Sequence, residues 1–224
     1  MRVIVRTLSE LCITAGALIV LFVGYVLFWT GVRAEGAMND QIGRLRAEWS
    51  AGSGRARPAA RAEPPRAYEP GEPFAIMSIP RLGATWHKPV LEGTGTGTLK
   101  KGLGHYAGTA RLGATGNFAV AGHRRTYGDP FKDVPRLRPG DAVVLTDGTT
   151  RYTYRIDEGP YRTVPTDVAV LDPVPRKPGY TRPGRYLTLT TCDPEWGHSH
   201  RLIVWAHLDA TQPVDTGHPQ APRR

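Results

Sequence analysis

Apolar positions fall into three regimes along the chain. From Leu11 to Val32 there is no charged residue and an abundance of Leu, Val, Ile and Phe, a run longer than the ~20 residues needed to cross a bilayer. It predicts a transmembrane helix over 11–32. Beyond it, Met38, Ile42, Leu45 and Trp49 recur at helical spacing with Asn39, Asp40, Arg44 and Glu48 between them, predicting a short amphipathic juxtamembrane helix over 33–50. Its apolar stripe suits docking on a folded domain, self-association or a lipid surface, and the pattern alone does not choose among them. Residues 51–72, AGSGRARPAARAEPPRAYEPGE, show no apolar periodicity and are rich in Gly, Ala, Pro and Arg, so they read as a flexible linker.

From Pro73 the pattern changes to short apolar runs punctuated by Gly, Pro and Asp: FAIMSI (74–79), NFAVAGH (117–123), AVVLTD (142–147), RYTYRI (151–156), DVAVL (167–171), RYLTLTT (185–191) and RLIVWAHL (201–208). A weaker run, ATWHKPV, lies at 84–90. Strands this closely spaced predict an all-β barrel or sandwich over 73–210. The Asp-Gly within TDGTT (146–150) joins two of the runs as a hairpin turn, because Gly supplies the positive φ that a tight turn needs. After Ala210 the tail TQPVDTGHPQAPRR is polar and Pro-rich, predicting disorder over 211–224.

Charge then gives the chain an address. Arg2 and Arg6 precede the apolar run, so the positive-inside tendency makes residues 1–10 cytoplasmic and places the remainder outside a single-pass membrane anchor, with Arg33 reducing the asymmetry. A cleaved signal peptide is the competing reading, with Ala34 to Ala37 as its cleavage context, although its apolar core would normally be only about 7 to 15 residues. The net charge of +9 and pI of about 9.9 invite a nucleic-acid partner, but the arginines are scattered rather than interleaved with aromatics on one face. No nucleic-acid partner is expected; an Arg-rich exterior suits anionic lipid and wall polymer equally well.

Two cysteines remain, Cys12 in the apolar run and Cys192 in a polar turn after a strand, contexts too different for a disulfide. A lone thiol in a folded domain is either a small buried hydrophobe or a nucleophile, and its neighbours decide. Cys192 ends the alternating run RYLTLTTC, and Arg201 begins the next run after the loop DPEWGHSH. If those strands are adjacent, the guanidinium comes near the sulfur, where it can hold a developing oxyanion. His123 ends a third run and is followed by the polar turn RRTYGD. Taken singly, each has a plain structural explanation: a packed thiol, a surface ion-pair arginine, a strand-end histidine.

Taken together, TLTTC at 188–192, Arg201 and GNFAVAGHRRTYGDPF at 116–131 resemble the signature segments of sortases. Within that family, AGHRRTYGDPF, GHY at 104–106 and RLIVWA at 201–206 are most similar to class E, the housekeeping type of high-GC Gram-positive bacteria. The resemblance implies a closed β-barrel of about eight strands with short helices. It also implies a cysteine transpeptidase in which Cys192 is the nucleophile, His123 the general acid/base and Arg201 the residue that holds substrate and oxyanion. Such enzymes cleave a C-terminal sorting motif between Thr and Gly, here LAXTG-like, form a thioester, and pass the acyl group to an amine of peptidoglycan precursor or of a pilin. Surface proteins bearing the motif are the implied partners, and no cofactor is required. Tyr106 matches a tyrosine used near the substrate, and Thr191, beside the nucleophile, is a second substrate-binding candidate. A free thiol ionises near about 8.5 and an imidazole near about 6.5, so only a minority of molecules hold thiolate and imidazolium together, which predicts a slow enzyme.

His198 and His200 depart from the family pattern; as a metal site they would need at least one more ligand, for which Glu195 is the only obvious local candidate, and a solvated loop is the simpler reading. His87, His105 and His207 read as surface positions. An L,D-transpeptidase would carry a histidine just before its cysteine, where this chain has Thr190 and Thr191. A membrane-tethered binding barrel would leave Cys192 a packing residue, resistant to soluble thiol reagents until unfolding.

Overall fold

Eight strands form from these patterns: β1 Pro73–Ser78, β2 His87–Glu92, β3 Leu103–His105, β4 Gly116–Ala121, β5 Ala142–Thr146, β6 Thr150–Thr163, β7 Arg185–Asp193 and β8 His200–Pro213. In the computed structural model, which describes residues 2–53 and 67–214, they close into a barrel in the order β1-β2-β3-β4-β7-β8-β6-β5. Two neighbouring pairs, β2 with β3 and β4 with β7, are parallel. The interior is filled by alternate residues, among them Met77, Val90, Phe118, Val120, Leu187, Leu189 and Val204, each almost wholly buried.

The strand set differs from the expected one in two places. DVAVL is not a strand: Val168–Leu171 is a 3-10 turn that lays Val170 against Ile203 and Trp205 on the outside of the barrel. A five-residue apolar run fits a strand or a covering turn equally well. Conversely β3 is a strand that apolar patterning does not reveal, because it includes Gly104. A Cβ at Gly104 would lie 2.5 Å from the Gly93 carbonyl oxygen, so close backbone approach decides the residue there. The end of β8 also runs further than expected. Thr211 to Pro213, read as the start of a disordered tail, pair with β6 through Tyr152↔Thr211 and Thr150↔Pro213; residues 215–224 lie outside the described residues.

His105 is a further correction. Rather than lying on the surface it is 2% exposed, with Nδ1 2.7 Å from Glu92 Oε2 and its ring stacked on Phe118. The register Glu92↔His105 across β2 and β3 brings the pair together.

The apolar run and the amphipathic stripe are one helix, α1 Arg2–Ser53. Its hydropathic segment Arg2–Tyr25 is long and apolar enough to cross a membrane. Nothing at the boundary of the two expected segments breaks the helix, since Gly31 and Gly36 on either side of it cost only about 1 kcal/mol each. Of the three fates open to the stripe, docking is observed: Ile42 and Leu45 pack on Ile76 of β1 with Trp49 beside them. Glu35 reaches Lys88 at 3.8 Å, and Gln41 Nε2 donates to the Lys101 carbonyl. At the two ends of this contact sit glycines with positive φ. A Cβ on Gly128 would lie 2.6 Å from Met38 Cε, and one on Gly148 2.3 Å from the Trp49 ring. Most of the expected linker, 54–66, lies outside the described residues. By Pro70 and Gly71 the chain is already bonded alongside β2 at Glu92.

Met38 is 1% exposed, so Met38→Ala should lower unfolding stability by about 2–3 kcal/mol, the lower part of the range for buried Met truncations. Chemical denaturation of the full chain in detergent, compared with the exposed control Asn39→Ala, would measure it.

Candidate active site

Strand direction brings the chemistry to one rim. Because β4 and β7 are parallel and in register through Ala121↔Thr190, both end at the same edge of the barrel, and His123 follows one as Cys192 closes the other. β8 returns antiparallel beside β7 with Cys192 directly opposite Arg201, so those two side chains share a face. Alternation assigns that face: Leu189 points into the core, hence Thr190 and Cys192 lie on opposite sides of the strand from Leu189 and Thr191 respectively.

A cleft of about 290 Å³ opens there, lined by His123, Arg124, Arg125, Thr126, Cys192, Glu195, Trp196, Gly197 and His198. Cys192 is a free, partly exposed thiol. The His123 ring lies 5.3 Å from that of Tyr127. Burial holds its imidazole below the ordinary range; Asp129 opposes that and the Lys100 ammonium reinforces it. Arg201 donates from Nη1 to the carbonyls of His198 and His200, both at 3.0 Å, which steadies the loop between the two strands while using one nitrogen of its fork.

Tyr106 approaches the same face from β3, its hydroxyl 3.1 Å from Thr190 Oγ1. Thr191, expected beside the substrate, is buried on the other side of the strand and donates its hydroxyl proton to the Gly122 carbonyl at 2.8 Å. It ties the end of β7 to the end of β4. Thr190 is the threonine that shares a face with Cys192, a fact readable from the two-residue period alone.

The residues that follow His123 and Cys192 in the chain are paired with each other. Arg124 binds the Asp193 carboxylate and also donates to the Cys192 carbonyl at 3.3 Å, while Arg162 holds the other carboxylate oxygen at 2.6 Å. Burial alone would push the Asp193 carboxyl up, but the two guanidiniums outweigh it and keep it below its usual range. Glu195 pairs with Arg125 at 3.0 Å, whose guanidinium lies over the Trp196 ring. His200 faces Arg162 and Ser199. Among the described residues no three His, Cys, Asp or Glu side chains converge to hold a metal ion. Sequence reading did not anticipate the Arg124–Asp193 clamp; its signal was two opposite charges each one residue after a reactive side chain.

A family model described as the sortase domain matches residues 77–209. The chain is 39% identical to sortase SrtE1 of Streptomyces coelicolor over 96% of its own length, spanning 60% of that relative. It is 32% identical to sortase SrtE2 of the same organism, spanning 84% of it. Among solved structures, sortase E from Streptomyces avermitilis is 76% identical, with a TM-score of 0.64 over 68% of this chain and 98% of that one. Sortase E1 from Streptomyces coelicolor, solved with a tripeptide in its active site, is 40% identical with a TM-score of 0.62, again over 68% and 98%.

The charges around His123 fix the direction of two substitutions. Asp129→Asn removes the anion that favours the imidazolium and should move the His123 ionisation further down; Lys100→Gln removes a disfavouring cation and should move it up. Imidazole proton shifts followed by NMR across a pH titration would register both, in opposite directions.

Proposed function

The chain belongs to the sortase family, with class E sortases among its relatives, and on that premise we propose that it is a membrane-anchored cysteine transpeptidase acting on C-terminal sorting signals. The observation that carries this reading is that Cys192, His123 and Arg201 arrive from separate strands at one rim, with Cys192 and Arg201 directly opposite.

The chemistry follows from the placement. The Cys192 thiolate attacks the carbonyl carbon of the motif's threonine, and Arg201 stabilises the oxyanion that forms. As the C–N bond to glycine breaks, protonated His123 gives its proton to the departing amine, leaving a thioester and a neutral imidazole. An acceptor amine then attacks the thioester, His123 takes up its proton, and Cys192 leaves as thiolate. The burial that depresses the His123 ionisation reduces the imidazolium population at neutral pH, consistent with slow turnover. Tyr106 and Thr190 line the face along which the motif would lie, and Thr191 acts through the Gly122 carbonyl, holding the two strand ends together. The Arg124–Asp193 clamp fixes the spacing of acid/base and nucleophile.

The substrate assigned is an LAXTG-like signal cleaved between Thr and Gly. The acceptor is an amine of peptidoglycan precursor, with a pilin amine as the other use of the same chemistry. The α1 segment 11–32 crosses the cytoplasmic membrane with residues 1–10 inside and the barrel outside, since Arg2 and Arg6 precede the run.

A soluble fragment beginning near residue 70, incubated with LAXTG and LPXTG peptides, should release the Gly-terminal product and show an acyl adduct by intact mass, with LAXTG preferred. Cys192→Ala should abolish the adduct, and its persistence would overturn the assignment of nucleophile. Arg201→Ala should lower kcat by roughly 10²–10³, the usual loss for one oxyanion-stabilising group.

A further inference from the structure

The docking of α1 fixes which end of the barrel meets the membrane. The charge-free run ends at Val32, and Arg33 lies over the Trp29 ring, an aromatic and a cation of the kind that mark a bilayer boundary. From Arg33 the helix continues unbroken to Ser53. Met38, about 8 Å further along the axis, packs on Gly128, in the loop that begins at His123. Trp49, about 16 Å beyond Met38, packs on Gly148, in the turn between β5 and β6 at the opposite end of the barrel. The barrel is therefore mounted with its catalytic rim towards the bilayer and the β5–β6 turn away from it.

Exposed apolar side chains are distributed in the same sense. Outside α1, the large exposed hydrophobics among the described residues are Tyr161, Val164, Val168 and Trp196, the last 68% exposed. Trp196 lines the cleft itself. Val164 follows Thr163, which pairs with Arg201 at the rim, Tyr161 pairs with Ile203 two positions along, and Val168 follows Asp167, whose carboxylate accepts from Thr163. Lys100 and Lys101, just before β3, add exposed positive charge at that edge, suited to anionic headgroups.

We propose that the catalytic rim lies against the headgroup layer of the membrane that α1 crosses, with Trp196 at the interface, a height that suits a sorting signal whose own chain is held in that bilayer. This rests on the anchored-transpeptidase reading above. The occupant of the rim is the lipid surface; α1 sets the height, and the exposed aromatic and basic residues meet the headgroups. A sorting motif at headgroup level is then presented to Cys192 without leaving the membrane.

The full chain in phosphatidylglycerol-containing vesicles tests this directly. In a Cys12→Ala, Cys192→Ala background, a fluorophore is placed at Trp196→Cys or at Thr211→Cys near the opposite end. Lipids carrying a headgroup nitroxide should quench the first strongly and the second weakly; equal quenching, or the reverse order, overturns the proposal. In the otherwise native chain, a two-turn helical insert between Arg33 and Ala34 raises the rim by about 11 Å while nearly preserving its rotation. Turnover of a soluble motif peptide should be unchanged. Turnover of the same peptide anchored in the vesicle should fall by roughly tenfold or more, because the tethered partners no longer reach each other; equal turnover of both peptides by the insert variant and its parent overturns the proposal. If the parent cleaves neither peptide, the transpeptidase reading fails, and the quenching order still decides the orientation.

Discussion

The site depends on one parallel pairing. Parallel strands must be joined by a long crossover, and here the chain between β4 and β7 contains β5, β6 and the covering turn at Val168–Leu171 before it returns. The reward is that both strands end on the same edge, so an imidazole and a thiol far apart in sequence meet there without either being placed on a mobile excursion. The antiparallel return of β8 then adds the guanidinium at a fixed register. Had β4 and β7 been antiparallel, His123 and Cys192 would lie at opposite ends of the barrel, and no loop of ordinary length would reunite them.

Around that pairing the small contacts share a purpose. Thr191 to the Gly122 carbonyl and Arg124 to both Asp193 and the Cys192 carbonyl all bridge the final residues of β4 and β7. They close the gap where the hydrogen-bonded ladder ends and the strands would otherwise splay. Beyond His123, Thr126, Tyr127, Gly128 and Asp129 all have positive φ, a run that side-chain-bearing residues seldom adopt. It is braced from one side by Met38 and crossed by Lys100 over the Tyr127 ring.

Much of this was legible in the sequence. Strand runs such as NFAVAG and RYLTLTT were visible because they are long, apolar and bounded by turn residues, and Cys192, His123 and Arg201 stood at their ends. What escaped was set by tertiary approach: β3, whose Gly104 is dictated by the neighbouring Gly93 carbonyl, and the burial of His105, which depends on Glu92 from a strand that is itself weakly patterned. The face of Thr191 could have been read from alternation. The docking of α1 could not, since a stripe of Met38, Ile42, Leu45 and Trp49 looks the same whether protein or lipid covers it. The side chains that complete the contact, Ile76 and the bare backbones of Gly128 and Gly148, carry no mark in the sequence of what they face.

That contact also has a consequence for how the protein is made. Synthesis runs from the N-terminus, so α1 is complete while every strand is still to come. Ile76 lies on the first strand, but Trp49 has no seat until the chain has been extended to Gly148, and β8, the last strand, is inserted between β7 and β6 rather than added at an edge. The barrel therefore cannot close before nearly the whole described chain has been delivered, and the non-local pairings make that closure slow. Until the chain reaches Gly148 the apolar stripe is covered only in part, so its full burial marks a chain already extended well into the barrel.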